Sequence, residues 1–207
     1  MINNLVFETI IDPADSRLTE FRKTIFLEDL KIDCDLISII KPHEWWISNY
    51  NEDAYKYSDK KWFDVKFDAI EVALNNGRIV SMCGAKVYND SFGSKFLRIN
   101  MFYYTLKSHR KLCNGIIYVN NGFDDRHIEF SKANDCKGMF FSVYAYNSKL
   151  KALVINHSAR RISNVKSKLK HLDNIKHVGS YKLNNVTQEF FYFPLSNYKF
   201  DPTTLIL

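Results

Sequence analysis

The residues with the clearest chemical potential form one short segment, His109-Arg110-Lys111-Leu112-Cys113-Asn114-Gly115, where a strand-like run gives way to a helix-like one. The first backbone N–H groups of a helix have no intrahelical partner, and the helix dipole concentrates partial positive charge there. A strand-to-helix turn is therefore a natural seat for a pyrophosphate, and His109, Arg110 and Lys111 add side-chain charge beside it. The plainer reading of the same residues is an ordinary basic turn, and the residues alone leave both open. A second cationic stretch follows, in which Lys149, Lys151, Arg160, Arg161, Lys166, Lys168, Lys170, Lys176 and Lys182 face only Asp173. It reads either as a solvated helix face or as a surface for a phosphate-bearing cofactor or nucleic acid. Cys34, Cys83, Cys113 and Cys136 contain no C-x-x-C pair, which argues against a zinc knuckle or a dense disulfide framework and for reduced thiols in a cytosolic compartment.

The elements that must position these groups are legible from periodicity. Leu5 to Ile11 reads as a strand, and Asp15-Ser16 as the N-cap of a helix carrying Leu18, Phe21 and Ile25 to about Leu30. Leu36 to Tyr57, interrupted at Pro42 and containing Trp45-Trp46, reads as a helix with a loop. Ala69 to Leu74 and Arg78 to Tyr88 are strand-like runs joined by Asn75-Asn76-Gly77, a hairpin turn sequence. Phe96 to Leu106 alternates as a further strand, and the turn Lys107 to Gly115 leads into a helix over Ile116 to Asp135. Met139 to Tyr146 reads as a strand, Ser148 to about Ser163 as a helix, and Lys176 to Leu183 with Thr187 to Phe193 as a last hairpin.

At 207 residues, with 46% hydrophobic and 15% aromatic residues, the chain has enough apolar surface for one continuous domain over 1–207. No apolar run approaches the roughly 18 residues that span a bilayer, so neither a membrane span nor a membrane partner is expected and the protein is read as cytoplasmic. The expected class is α/β, in the α+β sense, with a mixed and mostly antiparallel central sheet of about seven strands flanked by helices, in the order β-α-α-β-β-β-α-β-α-β-β.

With Arg110 at the first position of the basic turn, Gly115 at its last and this element order around it, the stretch from about Ala69 to Phe193 resembles the GNAT superfamily of acetyl-CoA-dependent N-acyltransferases. That superfamily reads the turn as Gln or Arg, two residues, Gly, one residue, then Gly or Ala, and here Cys113 stands at the middle glycine. The resemblance extends to Asn147, which matches the polar residue at the end of the next strand. It implies acetyl-CoA or another acyl-CoA as co-substrate. Tyr103, Tyr104 and Thr105 would pair their backbone with the pantetheine, and Lys111, Leu112, Cys113, Asn114, Gly115 and Ile116 would wrap the pyrophosphate with backbone N–H groups beside Arg110. Asn147 would contact the cofactor's arm.

Transfer to an amine needs a base, donors for the oxyanion and an acid for the leaving thiolate. A backbone N–H near Tyr104 or Thr105 would polarise the thioester, as the resemblance implies. Family members often carry a tyrosine seven residues beyond the strand-end Asn, a position held here by Val154. Tyr104, Tyr144 and Tyr146 are alternative acids, of which Tyr146 is selected, while His157 reads either as an acid or as a core histidine. Glu71 reads as a water-mediated base, or else as an exposed strand glutamate. His43, Glu44, Trp45, Trp46 and Gln188 are the residues expected to shape an acceptor pocket. The implied partner is a small-molecule or protein amine. A homodimer is compatible with this reading, nucleic acid is the lowest-ranked partner, and a non-catalytic acyl-CoA-binding or interaction module of the same fold is the alternative.

Overall fold

The computed structural model describes residues 5–12, 15–25, 28, 67–109, 116–144, 174–183 and 186–206. They form strands β1 (Val6–Ile10), β2 (Ala69–Asn75), β3 (Arg78–Asp90), β4 (Lys95–Thr105), β5 (Gly138–Tyr144), β6 (Lys176–Leu183), β7 (Val186–Pro194) and β8 (Leu205–Ile206), with helices α1 (Ser16–Thr24) and α2 (Ile116–Ala133). The fold class is the expected one, an α/β fold with a large and mostly antiparallel sheet. The segments expected as a helix with a loop over Leu36–Tyr57 and as a helix over Ser148–Ser163 lie outside the described residues. The chain forms two compact units, Met1–Lys86 with Asn100–Val119 and Val87–Ile99 with Asn120–Leu207, so that β3, β4 and α2 each contribute to both.

In the first unit the strands follow the order β1-β2-β3-β4, with β1–β2 and β2–β3 antiparallel. Asn76 and Gly77 take φ of 51° and 78°, closing the β2–β3 hairpin where the Asn-Asn-Gly sequence predicts it. β2 pairs with β1 on one edge and β3 on the other, and its residues Ala69 to Leu74 are buried on both faces of the sheet. Helix α1 starts where the Asp15 carboxylate accepts the Arg17 N–H at 2.9 Å, a side-chain cap for one of the orphan donors. Its residues Leu18 and Phe21, with Ile25 just beyond, recur at helical spacing and are buried.

The second unit carries the order β3-β4-β5-β7-β6, with β8 on the other side of β3. Here β4 and β5 run parallel, pairing Phe96, Leu97 and Arg98 with Gly138, Met139 and Phe140, whereas β5–β7, β6–β7 and β3–β8 are antiparallel. A parallel pair cannot be closed by a tight hairpin, and α2 supplies the crossover. One face of this sheet is aromatic. Phe200, from the segment after β7, lies 5.1 Å from Phe96, 5.1 Å from Phe140 and 4.7 Å from Tyr192 between ring centroids. The β3–β4 turn is pinned by buried Asp90, which accepts the Phe92 and Ser94 N–H groups at 2.9 and 2.7 Å and the Tyr198 hydroxyl at 2.7 Å. Burial works to raise the Asp90 pKa, but these three hydrogen bonds outweigh it and hold the carboxyl below its usual range.

The start of β5 depends on a residue with no side chain. A Cβ on Gly138 would lie 2.3 to 2.5 Å from the far end of the Tyr192 ring. That ring cannot swing clear, because it stacks on Phe200 and its hydroxyl donates to the Lys137 carbonyl at 3.1 Å. Gly138→Ala is therefore expected to lower unfolding free energy by about 1–3 kcal/mol in urea denaturation, the usual magnitude of core overpacking. An unchanged midpoint would show that the aromatic cluster yields more easily than its packing indicates.

Candidate functional site

In the first unit, Thr9, Glu71 and Cys83 are Cα partners across β1, β2 and β3, so their side chains share one face of the sheet. Glu71 is 0% exposed, and its Oε2 accepts the Thr9 hydroxyl at 2.8 Å. Ser81, two residues before Cys83, lies on the same face. Its hydroxyl donates to the Tyr104 carbonyl at 3.0 Å and lies 2.7 Å from the Thr105 hydroxyl. With the Ser81 proton committed to that carbonyl, Thr105 is the donor of the second bond. The end of β4 is thus fastened to the sheet face that carries the buried carboxylate. Beyond Thr105 the chain makes one 3-10 turn over Lys107–His109, with two basic residues and no acidic one. Chemically, this face offers a proton acceptor at Glu71 beside a strand end that leads toward a helix N-terminus.

In the second unit, β7 places Glu189 and its neighbour Gln188 on opposite faces of the sheet. Glu189 on β7 is 4% exposed and accepts from Ser180 at 2.7 Å, with His177 Nε2 at 2.9 Å from its other oxygen. Ser180 is the Cα partner of Glu189 and His177 that of Phe191, because a bulge between His177 and Gly179 inserts Val178. In an unbroken strand, residues three apart point to opposite faces. The bulge brings His177 and Ser180 to the same carboxylate. On the other face, Arg98 Nη2 donates to Ser142 Oγ at 3.1 Å, and the Ser142 hydroxyl donates to Gln188 Oε1 at 2.6 Å.

Of the residues expected to act, Glu71 is buried rather than exposed, and Tyr104 and Thr105 stand with it in the first unit, joined through Ser81. Tyr103 lies within β4 and Ile116 opens α2. Arg110, Lys111, Leu112, Cys113, Asn114, Gly115, Tyr146 and Asn147 lie outside the described residues, as do His43, Glu44, Trp45, Trp46, Val154 and His157. Gln188, expected in an acceptor pocket, is buried on β7 in the second unit as the end of the Arg98–Ser142 chain. The sequence reading missed Thr9, Ser81, Arg98 and Ser142. For Thr9 the available signal was its place opposite Glu71 once β1 and β2 are paired, but that register is not visible in the linear sequence. Among the described residues no cluster of His, Cys, Asp and Glu could hold a metal ion, and no helix is long and apolar enough to cross a membrane.

The sequence matches no protein-family model and no curated protein. Solved structures of similar shape include Arabidopsis thaliana NAA60 in complex with acetyl-CoA, at 14% identity and TM-score 0.44, covering 93% of this chain and 99% of that one. An N-acetyltransferase from Staphylococcus aureus Mu50 aligns at 10% identity and TM-score 0.47 over 93% and 98% of the two chains. An acetyltransferase of the GNAT family from Streptococcus pneumoniae aligns at 13% identity and TM-score 0.45 over 91% and 98%. At such values the likeness assigns no residue a role, and the fold class rests on the strand order and pairing given above.

One buried group has a measurable consequence. Phe123, His127 and Ser131 recur every fourth residue on α2 and are all buried. Among the described residues, neither His127 ring nitrogen nor the Ser131 hydroxyl has a hydrogen-bond partner. Burial pushes the His127 pKa down to about 3 from an ordinary 6.5, so the ring is neutral in the folded protein at neutral pH. The unfolded chain takes up this proton near pH 6.5, and the folded protein does so only near pH 3. Stability is therefore fully present above pH 6.5 and falls as the pH drops from there toward 3. Urea denaturation between pH 6.5 and 5 is expected to show a loss of up to about 1.4 kcal/mol per pH unit from this group, and His127→Leu to flatten that slope. The same slope in wild type and variant would contradict it.

Proposed function

We propose that the protein is an acyl-CoA-dependent N-acyltransferase that moves an acetyl or other acyl group to the primary amine of a small molecule or protein. The observation that carries this reading is the buried Glu71 carboxylate on the sheet face to which Ser81 and Thr105 fasten the end of β4. In open α/β sheets, ligands bind outside the carboxyl ends of parallel strands, where a following helix turns its free N–H groups outward. The basic Lys107 and His109 and the absence of an acidic residue from that turn fit an anionic ligand. The turn motif and element order that resemble the GNAT superfamily point to the same place.

In this reading acyl-CoA supplies a thioester and the chain supplies the rest. Tyr103, Tyr104 and Thr105 offer strand-edge backbone groups to the pantetheine, one of whose N–H groups polarises the thioester carbonyl. Arg110 and the backbone of Lys111 to Ile116 hold the pyrophosphate, and Asn147 the arm. Glu71 receives the amine's proton through water, and Thr9 keeps the carboxylate oriented by donating to its Oε2. Tyr146 returns a proton to the departing thiolate. A free thiolate is itself a tolerable leaving group, so loss of Tyr146 costs less than loss of Glu71.

Thermal unfolding with and without acetyl-CoA tests the binding half. A ligand at about 100 times its Kd stabilises the native state by about 2.7 kcal/mol, a readily measured rise in Tm. Glu71→Gln preserves shape and the Thr9 contact, and is expected to keep that rise while slowing free-thiol release about 10²–10⁴-fold. No response to acetyl-CoA or longer acyl-CoAs would sink the reading. A response without thiol release from the wild type over a broad amine panel would instead identify an acyl-CoA-binding module.

A further inference from the structure

The Arg98–Ser142–Gln188 chain has an unusual distribution of donors. A guanidinium carries five N–H donors and no acceptor. Arg98 is half-buried, commits one N–H to Ser142, and has no carboxylate within ion-pair distance among the described residues. Ser142 Oγ receives that bond, so its own proton goes to Gln188 Oε1 at 2.6 Å. This fixes the Gln188 amide with Oε1 toward Ser142 and leaves both Nε2 protons unclaimed by any described residue. Each oxygen in the row already accepts one internal bond, while the other guanidinium and amide N–H groups meet no described acceptor.

The described carboxylates of the surrounding strands are engaged elsewhere: Asp90, at the end of β3, accepts from Phe92, Ser94 and Tyr198. Register places Arg98, Phe140, Ser142, Gln188, Phe190 and Tyr192 on one sheet face. The acidic residue of β7, Glu189, points to the opposite face, where His177 and Ser180 engage it. The second unit's part of β4, together with β5 and β6, contains no Asp or Glu. A half-buried guanidinium with no described counter-ion, beside an amide whose N–H groups no described residue claims, offers an anion several donors at once. A single guanidinium with a neutral amide matches one planar negative group, a carboxylate accepting the guanidinium fork, better than a phosphate dianion.

We infer that Arg98, Ser142 and Gln188 form a binding site for a small carboxylate. The inference goes beyond the acyltransfer reading. The site itself lies within the second unit and stands independently of it.

The test is NMR titration of the full chain with succinate, observing the Arg98 Nε–H and Gln188 side-chain amide signals. Succinate is expected to shift both in a saturable way at millimolar concentration, and succinamide, neutral and of the same shape, to leave them unmoved. Arg98→Gln should abolish the Gln188 response. Arg98→Lys, which keeps the charge and loses the fork, should weaken it about tenfold with the backbone spectrum preserved. Equal responses to succinate and succinamide, a response surviving in Arg98→Gln, or tighter binding of inorganic phosphate than of succinate would overturn the proposal. Because the readout is binding, absent thiol release would sink the acyltransferase reading and leave this site standing, and an absent succinate response would do the reverse.

Discussion

The parallel pairing of Phe96–Arg98 with Gly138–Phe140 is the constraint on which the rest of the structure depends. Antiparallel neighbours can be joined by a few residues, but parallel ones require the chain to return to the starting end of the sheet. The intervening Lys107–His109 turn and helix α2 make that return, and in doing so they place a helix start after the carboxyl end of β4. The pair is held at its base by backbone bonds. Lys137 N–H donates to the Lys95 carbonyl at 2.8 Å, and the Lys137 carbonyl in turn accepts from Leu195, Tyr192 and Ser196. The missing side chain of Gly138 lets the Tyr192 ring lie over this junction.

A second organising principle is the treatment of buried charge. In the first unit, Glu71 is taken fully out of solvent with a threonine hydroxyl on one oxygen, beside the row where Ser81 and Thr105 tie β3 to β4. In the second, Glu189 is met by a serine and a histidine on one face, while on the other face Arg98 has, among the described residues, a neutral hydroxyl as its partner. Glu189 has a partner on each of its oxygens. The half-buried Arg98 instead meets a hydroxyl already bonded to an amide, and the proposed carboxylate site rests on that asymmetry.

Much of the sheet was legible because its signals are local. The alternation in Phe96–Leu106 and the Asn-Asn-Gly turn read directly as β4 and the β2–β3 hairpin, to within two residues at each boundary. β5 begins one residue earlier than its periodicity suggested, since Gly138 carries no strand signal and is kept for its lack of a Cβ. β8 was invisible, because two residues of pairing show no period. His127 was hidden by an expectation that a helix's buried stripe is apolar. The polar constellations were the least readable. Arg98 and Ser142 are 44 residues apart, and Ser142 and Gln188 46, so only three-strand register unites them. The His177–Glu189–Ser180 group depends on a one-residue bulge that no sequence alternation displays. Glu71 was identified by type, yet its burial and its Thr9 partner arise only in the folded sheet, a tertiary fact.

The central claim is that an acyl-CoA engages the carboxyl end of β4 and the start of α2. Amide hydrogen exchange with and without acetyl-CoA measures this most directly, residue by residue. Slowed exchange from Tyr104 through Ile116, with the β6–β7 hairpin unchanged, is the result the account predicts. Exchange unaltered there, or protection confined to the hairpin, would contradict it.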